Sequence, residues 1–145
     1  VQMASADLTW LLVKNNNSFL VKRKGGRGAQ FSKESGNLMN LNSFKFSGLA
    51  NQKTVDVSVN ASNKPQITLA GKNARKPVNG NSYVLGKHMV NKKCRGASTV
   101  ATLTEGSHYR KDLSKFAVAR YHALNKSIQL NKNPKKEARK RGRNC

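Results

Sequence analysis

Acidic side chains are scarce in this chain: 6 Asp and Glu stand against 28 Lys and Arg in 145 residues, a formal charge of +22 at pH 7. Asp7, Glu34, Asp56, Glu105, Asp112 and Glu137 are scattered singly. That leaves no paired carboxylates for general acid–base work and no cluster for magnesium. Cysteine is scarcer still. Cys94 and Cys145 lie far apart without a C-x-x-C, which argues against a zinc knuckle and against a disulfide framework. Cys94 reads as an ordinary thiol beside Lys93 and Arg95, and Cys145 as a loose terminal residue. His88, His108 and His122 share no metal-ligand spacing, and no serine sits in a G-x-S-x-G turn. The expectation is a protein with no catalytic residues, no metal, no cofactor and no small-molecule substrate, hence not an enzyme.

Apolar material is also limited. Hydrophobic residues make up 37% and aromatic residues 6%, enough for one modest core. Trp10 to Val13 is the longest apolar run, far below the roughly 20 residues a membrane span needs. The basic residues are spread along the chain instead of lining one helix face, which makes a membrane surface a distant second as partner. Asp7 without a basic leader does not read as a secretory signal, so the default location is cytosolic or nucleoplasmic. Met3 reads as the translational start, with Val1 and Gln2 an upstream extension or a cloning remnant.

What is abundant is positive charge. Repulsion among so many cations works against compaction, so the native setting is expected to supply a dense polyanion, with nucleic acid as the leading candidate. The residues expected to meet it are clustered. Lys22, Arg23, Lys24 and Arg27 form the first cluster, near Lys14. Lys45 and Lys53 follow, then Lys72, Arg75 and Lys76. Lys92, Lys93 and Arg95 come next, then Arg110 with Lys111, and Arg120 on a helix. The last group is Lys135, Lys136, Arg139, Lys140, Arg141 and Arg143. Basic charge alone does not separate RNA from DNA, and a chromatin-type DNA binder is a competing reading. No helix-turn-helix, zinc finger or basic zipper is recognisable, and no strand carries the paired aromatics of an RNA-recognition motif. Extended basic loops and a loose tail suit an irregular folded RNA better than a regular duplex.

The chain is organised around residues 5–24. Ser5 is a candidate N-cap with Asp7 in the first turn, and Leu8, Leu11 and Leu12 recur at helical spacing. Asn15 to Asn17 form a turn, after which Phe19 and Val21 alternate in a strand-like run. Trp10 and Phe19 are expected to share one core, with Lys14, Lys22, Arg23 and Lys24 on the wet side. Two readings stand for Gly25, Gly26 and Gly28 around Arg27: a basic loop that orders on RNA, and a floppy surface loop. From Phe44 the texture is β-like: SFKFSG, TVDVSVN and QITLAG each alternate, with Val55, Val57 and Val59 on one face and a turn from Asn60 to Pro65. Together with the Phe19 strand they predict one small, mostly antiparallel sheet covered by the opening helix. Residues 72–97 read as an irregular basic segment whose one apolar patch is Tyr83 to Leu85. A short helix is expected from about Ser98 to Gly106. A longer one runs from Lys111 to about Ile128, with Leu113, Phe116, Ala117, Tyr121, Leu124 and Ile128 on one stripe and Lys115, Arg120 and Lys126 opposite. The fold class is therefore α+β: a short N-terminal helix packed on the sheet, then two C-terminal helices and a basic extended tail. Residues 1–130 form one domain, and 131–145 a tail disordered unless RNA-bound.

These residues resemble a known family. The opening M-x-x-x-x-L-x-W-L-L-V-K-N, then N-S-F-L-V-K-R, is similar to the start of the eukaryote-specific large-subunit ribosomal protein twenty-eight family. Further matches are N-S-F-K-F-S-G-L at 42–49, Q-K-T-V at 52–55, R-K-P at 75–77, S-Y-V at 82–84 and Y-R-x-D-L at 109–113. A-x-x-R at 117–120 and A-L at 123–124 continue it. The resemblance implies an α+β structural constituent of the cytosolic large (60S) ribosomal subunit, without a catalytic role. Its partners would be large-subunit rRNA and neighbouring ribosomal proteins, not a second copy of itself. Its location would be the cytoplasm, with nucleolar transit during assembly. The glycine-rich loop and residues 58–80 match least. A ribosome-biogenesis factor of the Mak-sixteen type carries a related domain, but resembles a longer chain with N-terminal cysteines and an acidic C-terminal region.

Overall fold

The computed structural model of the chain describes residues 4–23, 25, 28–72, 82–90 and 95–132, with backbone alone at residues 72, 82–87 and 89. The predicted sites Lys24, Arg27, Arg75, Lys76, Lys92 and Lys93, with Cys94 and residues 133–145, lie outside the described residues.

Two alternating runs build the centre. Strands β3 (Lys53–Val59) and β4 (Pro65–Lys72) pair antiparallel in a register that sets Val55 opposite Leu69 and Val57 opposite Ile67. Alternation sends these four to one face, where all are buried. The turn between the strands lies where expected: the Asn60 amide donates to the Lys64 carbonyl, and Asn63 takes a positive φ of 53°. Val59, predicted on the apolar face, is exposed at the strand's end.

That cover is the C-terminal helix. A single 3-10 turn (Lys111–Leu113) leads into α3 (Ser114–Lys132), and Leu113, Ala117 and Tyr121 of the predicted stripe are buried in the core with Val55, Val57 and Ile67. Phe116 and Leu124 pack at its margin. Helix α2 (Gly96–Ala101) continues into a π turn (Thr102–Gly106), contributing Val100 and the buried Thr104. Gly96 is required where α2 meets α3: a Cβ there would sit 1.9 Å from the Tyr121 Oη.

Five expectations need correction. The opening helix α1 (Ala6–Val13) forms where predicted, with the Ser5 hydroxyl accepting from the Leu8 amide, but it buries no residue and does not cover the sheet. Eight residues carry too little apolar surface to compete with the 19 of α3 for that face. Trp10, half-buried, packs on Phe44 with ring centroids 6.1 Å apart, and Phe19 is exposed instead of sharing a core with it.

The Phe19 run does form a strand, β1 (Leu20–Lys22), but it pairs with β2 (Gln30–Ser32) in a separate two-stranded ribbon instead of joining β3 and β4. The SFKFSG stretch is a series of turns. Its carbonyls at Phe44 and Ser47 accept from the Asn51 side-chain amide, which offers the backbone an alternative to a ladder.

Residues 72–97 are not irregular throughout. Ser82–Met89 form β5, the third strand of the sheet, antiparallel to β4 with an irregularity between Leu69 and Ala70. Ladder hydrogen bonds join main-chain groups, so an edge strand tolerates Gly86 and a polar sequence that hides it from pattern reading.

The connection from β2 to β3 is held by polar side chains. Buried Glu34 accepts from Asn37 Nδ2 and Ser47 Oγ, both at 3.1 Å, while Ser47 Oγ also accepts from the Ala50 amide. A buried carboxylate needs such donors, and here uncharged ones supply them. Gly48 lets this loop close on itself, since a Cβ there would lie 2.1 Å from the Ser35 carbonyl oxygen.

Candidate nucleic-acid interface

The site is built outward from Arg110. The chain leaves the π turn through His108, which takes a left-handed φ of 50°, and this sharp corner turns Tyr109 and Arg110 back onto the end of the sheet. The Tyr109 hydroxyl donates to the Ala70 carbonyl at 2.7 Å, and Thr54 Oγ1 donates to the same oxygen at 3.1 Å. Both reach the place where the β4–β5 register slips, where side chains complete the pairing of main-chain groups.

Arg110 spends its guanidinium four ways. Nε donates to Asp112 Oδ1 and Nη2 to Asp112 Oδ2, each at 2.8 Å; Nη1 donates to the Lys53 carbonyl at 2.8 Å, and Nη2 to the Lys45 carbonyl at 3.1 Å. Its side chain is only 15% exposed. The rigid fork of arginine suits this use, because one planar group meets a carboxylate and two carbonyls together. The hydrogen bond from Arg110, aided by its charge and that of Lys45, holds the Asp112 carboxyl below its ordinary 3.8, against a smaller desolvation effect.

The consequence is that one arginine anchors the backbones of two lysines. Lys45 comes from the turn-rich loop and Lys53 from the start of β3, and Arg110 clamps both backbones. Lys45 Nζ stands 4.9 Å from the centroid of Phe116 and 5.8 Å from that of Phe46, two rings packed edge to face at 4.9 Å. Lys53 Nζ stands 5.4 Å from the centroid of Tyr109. A ring face attracts an ammonium without neutralising it. Neither ammonium takes part in an ion pair among the described residues. Among the described residues the ion pairs are Arg110–Asp112 and a looser Lys111–Glu105 contact at 4.0 Å.

The other predicted residues are placed separately. Lys22 and Arg23 are exposed on the β1–β2 ribbon, the Arg23 guanidinium carbon lying 6.0 Å from the centroid of Phe31. Lys14 is half-buried at the end of α1, its carbonyl accepting from Asn42 Nδ2. Arg95 is exposed ahead of α2, and the side chain of Lys72 is outside the described set.

Arg120, predicted on the wet face of its helix, turns inward: Nε donates to the Val57 carbonyl and Nη1 to the Leu38 carbonyl, both at 2.9 Å. It stitches α3 to β3 and to the loop before it. Arg110 and Arg120 thus spend hydrogen bonds inside the protein, while Lys45, Lys53, Lys22 and Arg23 are exposed and Lys111, also exposed, reaches toward Glu105. Sequence reasoning missed the ring supports Phe46, Phe116 and Tyr109. The adjacency of Lys45 and Phe46 was visible, but Phe116 lies 71 positions beyond Lys45 (116 − 45) and its approach required the fold.

Comparison with known proteins bears on the whole chain. The model of the Ribosomal L28e protein family matches residues 8–127, which include the Arg110 clamp and both lysines. Large ribosomal subunit protein eL28 of Schizosaccharomyces pombe is 36% identical over 124 residues, covering 83% of this chain and 90% of that protein. Its counterpart in Dictyostelium discoideum is 33% identical over 141 residues, covering 97% and 99%. In that of Caenorhabditis elegans, 54 residues align at 46% identity, 37% of this chain and 42% of that one. With the family model spanning most of the sequence and two relatives above 30% identity covered over more than four fifths of each chain, this chain belongs to the Ribosomal L28e protein family.

Proposed function

We propose that this protein is a structural constituent of the cytosolic large ribosomal subunit and binds large-subunit rRNA through its basic side chains, with no catalytic role. The observation that carries the reading is the Lys45–Lys53 pair, clamped by Arg110 and backed by aromatic rings, in a chain of charge +22. Family membership supports the ribosomal setting. Lysines pre-set at a fixed spacing neutralise phosphates with less entropy lost on binding than free side chains would pay, and each neutralised phosphate releases counterions. Lys22 and Arg23 on the ribbon, Lys111 beside α3, and the basic runs at residues 72–76, 92–95 and 132–143 extend the footprint. In this reading the rRNA-bound domain runs to the end of α3 at Lys132, two residues past the expected boundary, and the basic tail after it meets RNA. The protein passes through the nucleolus during assembly and works in cytoplasmic ribosomes beside neighbouring large-subunit proteins.

Sedimentation of a cell lysate at physiological salt tests this. The chain is expected to travel with large subunits and polysomes. Recovery only in nucleolar precursor fractions would make it an assembly factor, and preference for duplex DNA over rRNA fragments at matched salt would overturn the RNA reading.

A further inference from the structure

We propose that the exposed face of the β1–β2 ribbon is a platform for unpaired RNA bases, which stack on Phe19 and Phe31 while Arg23 and Lys33 take the flanking phosphates. The inference rests on the RNA-binding reading and deepens it, naming the part of the RNA that one surface recognises.

Three separate stretches of sequence meet in this face. Val21 pairs with Phe31, Phe31 forms a further bridge to Leu41, and the Lys33 amide donates to the Phe19 carbonyl at 2.9 Å. Alternation therefore brings Phe19, Val21, Phe31 and Leu41 to one side, with Lys33 beside Phe19 and Arg23 beyond Val21. None of the four apolar residues belongs to the main core. Phe19, Val21 and Leu41 are 43%, 36% and 36% exposed, and Phe31 is half-buried. The reverse side is the one that is fastened: Ser32 is buried, Leu20 half-buried, and Asn42 Nδ2 donates to Gln30 Oε1 and to the Lys14 carbonyl.

Charge and ring chemistry together select the occupant. Arg23 and Lys33 are both exposed, neither takes part in an ion pair among the described residues, and the Arg23 guanidinium carbon lies 6.0 Å from the Phe31 centroid. Cation and ring thus form one surface. Residues 14–52 hold seven Lys and Arg against a single acid, Glu34, which is buried and accepts from Asn37 and Ser47. A phosphate approaching this face meets attraction only. Every base has a π face to lay on a phenylalanine, but in a duplex that face is already stacked, so a single-stranded loop or bulge fits. The chain's own stretches outside the described residues offer Val1, Met3 and Val78 as large aliphatic side chains and no aromatic ring. Their one acid, Glu137, lies among six Lys and Arg in residues 133–145, so none of these stretches matches both the rings and the two cations. A second copy would set its own Arg23 and Lys33 against these.

The test uses the full chain and the variant F19L/F31L, which keeps apolar bulk and removes both rings. Affinity for a single-stranded RNA of about 12 nucleotides should fall about tenfold, while affinity for an RNA duplex of that length stays within about twofold of wild type. The slope of log affinity against log salt should be unchanged in F19L/F31L and smaller by about 0.7 per lost contact in R23Q/K33Q. Wild-type binding of the single strand by F19L/F31L would overturn the platform. So would a Tm lowered by more than about 5 °C, which would show the rings packed on the chain's own residues, Val1 and Met3 included. Within the particle, the chain carrying Phe31→p-benzoylphenylalanine is expressed in eukaryotic cells, and irradiation of purified large subunits is expected to give an adduct with an unpaired rRNA nucleotide. An adduct with another protein, with a second copy or within the same chain, or no adduct while the chain sits in the subunit, would equally sink the proposal. Failure of the wild-type chain to bind any RNA, or its absence from large subunits, would instead count against the reading on which the proposal rests.

Discussion

Arg110→Lys is the sharpest probe of the interface, because it leaves the net charge at +22 while removing the fork. Arg110 makes four hydrogen bonds, two to Asp112 and one each to the Lys45 and Lys53 carbonyls. A lysine ammonium at this position can keep one or two of them. The loss of two to three, at about 1 kcal/mol each after water compensates, comes to roughly 2–3 kcal/mol. For a domain of this size, about 4 °C per kcal/mol gives a Tm lowered by roughly 10 °C. With its clamp loosened, the lysine pair loses its fixed spacing, and affinity for an rRNA fragment should drop about tenfold, equivalent to about 1.4 kcal/mol. The slope of log affinity against log salt should not change, since the number of cations that meet phosphate is the same. Lys45→Gln with Lys53→Gln should give the opposite signature. The slope falls by about 0.7–0.9 for each lost contact, while Tm falls by about 4–8 °C, the cost of taking two lysines off their rings at about 0.5–1 kcal/mol each. A wild-type Tm for Arg110→Lys, together with a reduced salt slope, would show that Arg110 itself meets phosphate, and the clamp reasoning would be refuted.

Gly96→Ala should lower Tm by about 10 °C, because the new Cβ would lie 1.9 Å from Tyr121 Oη and 2.9 Å from Val90 Cγ1, and overpacking a core costs about 1–3 kcal/mol; a wild-type melting curve would count against the close packing of α2 on α3. Tyr121→Ala should cost about 3–5 kcal/mol and Trp10→Ala clearly less, since Tyr121 is 2% exposed while Trp10 is half-buried outside the main core; denaturant titration of both variants decides, and the reverse order would restore Trp10 to the centre. Asp112 titrates below 3.8 when folded, so the stability it contributes is present above about pH 4 and is lost as pH falls through the folded value. The Tm gap between wild type and Asp112→Asn should therefore be wider at about pH 6 than at about pH 2.5, and a gap independent of pH would remove Arg110 as its cause.

The particular elements show where pattern reading succeeds. The α1 cap, β3, β4, the turn between them and the stripe of α3 were legible because each is decided within a window of a few residues: a hydroxyl before an amide, an alternation, a periodicity of 3.6. The ribbon of β1 and β2, the edge strand β5 and the turn series at Ser43–Phe46 were not. Pairing partners are chosen by the whole chain, and side-chain amides such as Asn51 can outbid a ladder that alternation suggests. The same division runs through the candidate interface: its lysines were visible as charges, but their partners were not.

By itself the sequence determined the +22 charge, the lack of grouped acids, the buried apolar faces of two strands and one helix, and the likeness to a ribosomal family. Tertiary structure alone decided which cations point outward. Arg110 and Arg120 look like any other basic residue in the chain, yet Arg110 donates to the Asp112 carboxylate and two main-chain carbonyls and Arg120 to two more, while Lys45 and Lys53 lie exposed over aromatic faces. The physical reason is that a charge is fixed by residue type, whereas its availability depends on which acceptors and rings the folded chain brings within hydrogen-bonding or cation–π reach.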